Sequence, residues 1–183
     1  MELLIVSLVL GLIIIIYIVC VRNSLVVLKN RVEDQASQID IQLKRRFDLI
    51  PNLVEVVKGY MKHENKTLED VISARNNYLT AHNKDEIIKY NEELTASLNK
   101  LLIVAENYPD LKANQSFAEL QNELVQTEDK IAYARQFYND TVLKLNSKID
   151  VFPSNIVAKV FSIKKEKYIK ITMEEKQNVN IEF

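Results

Sequence analysis

Glycine and proline are nearly missing, with two glycines and three prolines in 183 residues. A chain so poor in breakers, and rich in Leu, Ile, Lys, Glu and Asn, forms long helices joined by few turns. With only Gly11 and Gly59 present, there is no glycine-rich loop, which excludes a P-loop or a dinucleotide-binding fingerprint. The single cysteine, Cys20, excludes an intramolecular disulfide framework and a multi-cysteine zinc site. Neither charge sign is in excess. The 24 Lys and Arg against 25 Asp and Glu leave no global field to gather nucleic acid or an acidic substrate. His63 and His82 are the only histidines, and Tyr60 and Leu79 stand three residues before them. The Glu-x-x-His pair of a di-iron bundle is therefore absent, and His63-Glu64 lacks the second histidine of a zinc helix. No metal and no cofactor is expected.

What the sequence does have is grease at its start. Leu3 to Val21 is a run of 19 uncharged residues, about 28 Å long as a helix and close to the hydrocarbon thickness of a bilayer. A cleaved signal would show a basic leading region, a shorter apolar core and a small-x-small cleavage site, and these flanks show none of the three. The expectation is an uncleaved single-pass anchor. Arg22, Lys29 and Arg31 follow the run and no basic residue precedes it, so the N-terminus is expected outside and the remainder in the cytoplasm.

The helical pattern does not stop with the grease. Leu25, Leu28, Val32, Ala36, Ile39, Leu43, Phe47, Ile50, Val54, Val57 and Met61 recur at a mean spacing of 3.6, the α-helical period. Two readings of Pro51 stand. The stripe keeps its phase through it, which favours one kinked helix over 24–62; alternatively Asp48 caps a new helix with Pro51 in its first turn. Further on, Thr67–Asp70 resembles a capping box and opens a helix, Asp85 and Glu86 suit the first turn of another that Pro109 ends, and Ser116-Phe117-Ala118-Glu119 is a full capping box. From there Phe117, Leu120, Leu124, Thr127, Ile131, Ala134, Tyr138, Val142, Leu145, Ile149 and Phe152 form a coiled-coil-like seam over 116–152, stopped by Pro153. Each stripe needs partners, so the fold class is all-α: an N-terminal transmembrane helix followed by an antiparallel up-and-down bundle of about four helices. The expected organisation is an anchor over 1–22, a bundle over 23–152 and a polar tail over 153–183. Within that tail, 156–161 suits a turn or two of helix, and 167–172 alone carries a strand pattern. The rest is expected to be unstructured or loosely docked.

Polar residues concentrate in two stretches. Lys44-Arg45-Arg46 lies about 33 Å beyond Arg22 on a continuous helix, far outside a screening length of about 8 Å, so ion pairing near Asp40 and Asp48 is expected rather than lipid contact. The run is too narrow, and too poor in interleaved aromatics, for nucleic acid. Arg135 abuts the seam at Ala134 and needs a carboxylate or carbonyl, with Asp48 as the expected partner. The candidate interaction or polar-lock residues are Arg45, Arg46, Asp48, Asn52, Arg135, Tyr138 and Asn139. No catalytic residue is assigned, because nothing singles out Ser73, Ser97 or Thr141 as a nucleophile.

The blocks "QLKRRFDLIPNLVEVVKGY", "AENYPDLKAN" and "IAYARQFYNDTVLKLNSKIDVFPSN", behind one membrane span, resemble the LemA family of bacterial membrane proteins. The similarity covers nearly the whole chain and is weakest in the tail over 162–183. It implies a single-span protein with its N-terminus outside and a cytoplasmic antiparallel helical bundle, and it supplies no catalytic residues to carry over. The expected function is a non-enzymatic, membrane-anchored scaffold. It would meet the lipid bilayer through residues 3–21, and a protein partner or further copies of itself through the polar face of 24–62 and the turn 107–116, with no nucleic acid. Two alternatives stand beside it: a ligand-binding or accessory enzyme bundle with a pocket near Asp48, Asn52, Tyr138 and Asn139, and a protein that remodels the membrane surface.

Overall fold

A computed structural model describes residues 1–61, 64–81 and 84–169, without the side chains of Lys84, Asp85 and Ile88. Both histidines and the distal half of the expected strand, 170–172, lie outside the described residues. The elements are α1 (Glu2–Lys58), α2 (Asn65–Leu79), α3 (Lys84–Ala105), α4 (Pro109–Lys112), α5 (Gln115–Asp150) and α6 (Ser154–Val160), with no strand among the described residues. The fold is an all-α helical bundle. By its internal contacts the chain divides into two compact units, one of Ile41–Lys130 and one of Met1–Asp40 with Ile131–Phe183.

α1 runs unbroken through the apolar segment, the stripe and Pro51, so the reading with a helix capped at Asp48 is excluded. It ends at Lys58 rather than at residue 62. A Cβ added at Gly59 would meet only the Val56 carbonyl, at an ordinary 3.4 Å, so Gly59 admits no close neighbour and serves the helix end. Nine stripe residues are buried, with Leu28 and Ala36 half-buried. The apolar run is the opposite: Leu3 is 87% and Ile13 57% exposed, as suits side chains meant for lipid rather than for a protein core.

Within the Ile41–Lys130 unit, five helices share one core. Phe47, Ile50, Leu53, Val54 and Val57 of α1 meet Leu68 and Val71 of α2, Leu94, Leu98 and Leu101 of α3, Leu111 of α4, and Phe117 and Leu124 of α5. Each fully buried side chain of this size contributes roughly 1.5–3 kcal/mol, which offsets the cost of about 3 kcal/mol for a proline inside a helix. The carbonyl that Pro51 cannot bond, that of Phe47, accepts from Arg75 Nε of α2 at 3.5 Å. The same guanidinium lies 5.8 Å from the Phe47 ring centroid, and Tyr78 packs on that ring at 4.2 Å. Directions follow from the polar contacts. Asp70, early in α2, pairs with Lys100, late in α3, at 3.0 Å. Asn114, before α5, donates to the Tyr60 hydroxyl just after α1 at 3.0 Å. Both pairings are antiparallel.

Three expected boundaries move. α2 starts at Asn65, and Thr67 is buried in its first turn rather than capping it. α3 ends at Ala105, and Pro109 opens the one-turn α4, where its missing N–H costs nothing. That turn is therefore no open loop, because Leu111 is fully buried. α5 is capped by Asn114, whose Oδ1 accepts from the Phe117 N–H at 3.0 Å. Ser116 falls inside the first turn, since an asparagine two positions earlier already satisfies the donor that its hydroxyl would have taken.

In the other unit, Leu25, Val32 and Ile39 of α1, Ile131, Tyr138, Val142 and Leu145 of α5, and Val157 and Ala158 of α6 are buried. Lys148 donates to Ser24 Oγ, and Arg22 lies 5.1 Å over the Phe161 ring. These contacts tie the C-terminal part of α5 and the end of α6 to α1 just beyond the apolar run. The expected seam fails at Phe152, which is 74% exposed, because α5 ends at Asp150.

Candidate functional site

The polar features of the second unit begin where α6 ends. The Ile163 N–H donates to the Ala158 carbonyl at 3.0 Å and the Ser162 N–H to that of Lys159 at 3.2 Å. This is the Schellman pattern, whose left-handed residue is usually glycine. Here the position is held by Ser162, with φ 53, at a cost on the order of 1 kcal/mol. The turn sends residues 163–169 back along α5 as an extended strip.

Two asparagines of α5 hold that strip by its main chain. Asn146 donates through Nδ2 to the Glu166 carbonyl at 2.9 Å and accepts at Oδ1 from the Glu166 N–H at 3.0 Å. Asn139 does the same to Ile169, with 2.9 Å for both bonds. An amide is the one neutral side-chain group that can both give and take in this way. The spacing explains the match. Seven residues on a helix advance about 10.5 Å, and three residues of extended chain advance about 10 Å. Between the clamps the Tyr138 hydroxyl donates to the Lys167 carbonyl at 3.1 Å. Its burial, and after that the charge of Glu166, push the Tyr138 pKa above its ordinary 10.0. At the α5 end, Lys165 Nζ meets Asp150 Oδ2 at 2.7 Å across an exposed surface. The tail up to Ile169 is therefore neither unstructured nor a strand: side-chain amides take the place of a neighbouring strand's backbone.

A second polar centre lies inside the Ile41–Lys130 unit. Arg46 of α1 is 3% exposed. Its Nη1 lies 2.8 Å from Glu128 Oε2 of α5 and 3.4 Å from Asn91 Oδ1 of α3, and its Nη2 donates to Thr95 Oγ1 at 2.9 Å. One guanidinium thus joins three helices and has the ion pair and hydrogen bonds that a buried charge requires. Its neighbour Arg45 reaches Glu123 at 3.9 Å with both side chains about half exposed, a pair worth little. Glu123 and Glu128 both belong to α5, whereas the sequence pointed to ion pairing near Asp40 and Asp48. Beside Pro51, an open groove is lined by Ile50, Val54, Glu55, Lys58, Ile72 and Arg75.

Asp48 and Asn52 are exposed on α1, and Arg135 is half-buried on α5. Tyr138 and Asn139 are engaged by the chain's own backbone. Asn146, Asn91, Thr95 and Glu128 were not singled out by the sequence. For Asn146 there was a usable signal, its seven-residue spacing from Asn139 on the seam side of one helix. Ser97 and Thr141 donate to carbonyls of their own helices.

These features define an all-α protein whose first helix opens on a membrane-length apolar stretch and whose long helices carry polar side chains in their packed faces. The chain belongs to the LemA family, whose model matches residues 35–183. It is similar to Protein LemA of Metamycoplasma hominis, 28% identical over 138 residues, covering 75% of this chain and 63% of that protein. It is also similar to the magnetosome proteins MamQ 1 and MamQ 2 of Paramagnetospirillum magneticum, each 22% identical over 172 residues, covering 80% of this chain and 63% of each relative. The chain spans less than two thirds of the length of these relatives. The apolar first part of α1 and the family together support membrane association.

Proposed function

We propose that this protein is a non-enzymatic scaffold anchored in the bacterial cell membrane by residues 3–21, with its N-terminus outside and its bundle in the cytoplasm. The observation that carries this reading is the continuity of α1, which passes from the exposed apolar run to buried core positions without a break. A helix built this way fixes the anchor directly to the packed body, as presentation of a surface to a protein partner or to further copies requires. Arg22, Lys29 and Arg31 on one flank support the orientation. The polar lock at Arg46 supports a body of fixed register rather than one built around an open cavity.

The test is a Cys20→Ser chain carrying one new cysteine at exposed Gln121, treated with a membrane-impermeant maleimide. Labelling only after the cells are permeabilised is the expected result; labelling of intact cells overturns the orientation. Crosslinking from exposed Lys44 in cells, read by mass spectrometry, should return a reproducible protein neighbour or a second copy. Recovery of lipid alone would overturn the scaffold reading.

A further inference from the structure

We propose that α5 between Tyr138 and Asp150 is a binding site for extended polypeptide, read through its main chain, with residues 163–169 as a tethered occupant that an extended, lysine-bearing segment of a partner protein displaces. This goes beyond the scaffold reading by naming a site and the chemistry of what enters it.

Three observations carry it. The clamps at Asn139 and Asn146 bond only to backbone N–H and carbonyl groups, so they hold any strip of the right extension and demand no particular side chains. The occupant contributes no fully buried side chain, because residues 163–169 are all half-buried or exposed; a hold of this kind can be released and remade. The ion pair of Lys165 with Asp150 gives the preference for a cation four residues before the strip's second clamped residue. The resident segment is joined through a short turn at Ser162, so its effective concentration is on the order of millimolar. It therefore closes the site to weak ligands and yields to those that gain further contacts.

The test uses the full chain in detergent or nanodiscs, with a protease site inserted at Ser162 so that the protein folds before the tail is cut. The probe is a fluorescent peptide of residues 163–183. After cleavage it should bind saturably, and before cleavage at least tenfold more weakly. Asn139→Ala with Asn146→Ala should weaken binding at least tenfold while the helical signal and melting of the body stay as they were. A probe methylated on the backbone nitrogens of Glu166 and Ile169 should fail to bind. A probe scrambled everywhere except at the lysine should bind within about tenfold of the original, a span of about 1.4 kcal/mol. Binding of the methylated probe, or complete loss with the scrambled one, would overturn main-chain reading. In a Cys20→Ser chain, Asp150→Cys with Lys165→Cys leaves both asparagine clamps in place, and a short bis-maleimide should join the two within one molecule; a crosslink between two copies would replace the partner by a second copy and overturn the assignment made here.

Discussion

Arg75 Nε of α2 donates to the Phe47 carbonyl of α1, at 3.5 Å, and Phe47 is the residue whose carbonyl Pro51 leaves without a helical donor. A neighbouring helix thereby repairs the gap in the ladder. The bond is long, so its share is small, and the guanidinium–ring contact with Phe47 adds to it. Arg75→Ala should cost about 1 kcal/mol. Pro51→Ala restores the N–H and should stabilise by about 1–3 kcal/mol. In the double variant the Arg75 change should cost less than in the parent, by about 0.5 kcal/mol or more. Urea midpoints of the four proteins measure the coupling, and strict additivity would refute the repair.

Arg46 and Arg45 are adjacent in sequence and differ sharply in burial. Arg46→Ala removes a buried cation that bridges three helices, with its bonds to Asn91 and Thr95, and should cost roughly 2–4 kcal/mol. Glu128 keeps nearly half its surface in water, so Glu128→Gln should cost only about 1 kcal/mol. Arg45→Ala should stay within about 0.5 kcal/mol of the parent. Chemical denaturation orders the three.

Ser162 holds a left-handed turn without being glycine. Ser162→Gly should remove the steric cost and tighten the docking of 163–169, while Ser162→Val should loosen it by about 1–2 kcal/mol, since a branched side chain fits that backbone worst. Trypsin cleavage at Lys164, Lys165 and Lys167 provides the readout. It should slow in the glycine variant and speed up in the valine variant.

Tyr138 titrates above its ordinary 10.0, because burial and then Glu166 both disfavour the phenolate. A folded-state pKa raised above the unfolded value means that the native protein holds the proton more tightly. The stabilisation is fully present below about pH 10 and is lost as pH rises through the folded pKa. Tyr138→Phe should flatten that alkaline decline while lowering stability slightly at neutral pH through loss of the bond to Lys167. Phenolate absorbance against pH, compared with the phenylalanine variant, locates the transition.

The long helices were legible because burial repeats along them. Nine of the eleven residues of the stripe that begins in α1 are buried, and the phase of the stripe crossed Pro51 correctly. The ends were less legible, since capping is a contest between neighbouring donors and acceptors. Asn114 took the cap from Ser116, and Pro109 began a turn of helix rather than merely ending one. The polar sites divide the same way. Arg46, Tyr138 and Asn139 stood out as polar residues close to apolar stripes. Their actual partners, Glu128, Thr95 and the backbone of 166–169, are distant in sequence, and no local pattern names them. Asp48 and Asn52 stood beside a stripe too, but their helical phase turns them toward solvent. The alternation over 167–172 suggests a strand because extended backbone normally seeks another strand; for its described part, 167–169, nothing local reveals that an asparagine pair will serve instead.

Because residues 166 and 169 are gripped by their peptide groups, the information that seats the C-terminal strip is written on the helix and hardly at all on the strip. Substitutions at Lys164, Lys167 or Tyr168, whose side chains point to water, can accumulate without unseating it. A single change at Asn139 or Asn146 cannot be compensated by any replacement in the strip itself. The strip is thus free to drift in composition, and to acquire new outward-facing chemistry, while its address on the protein stays put.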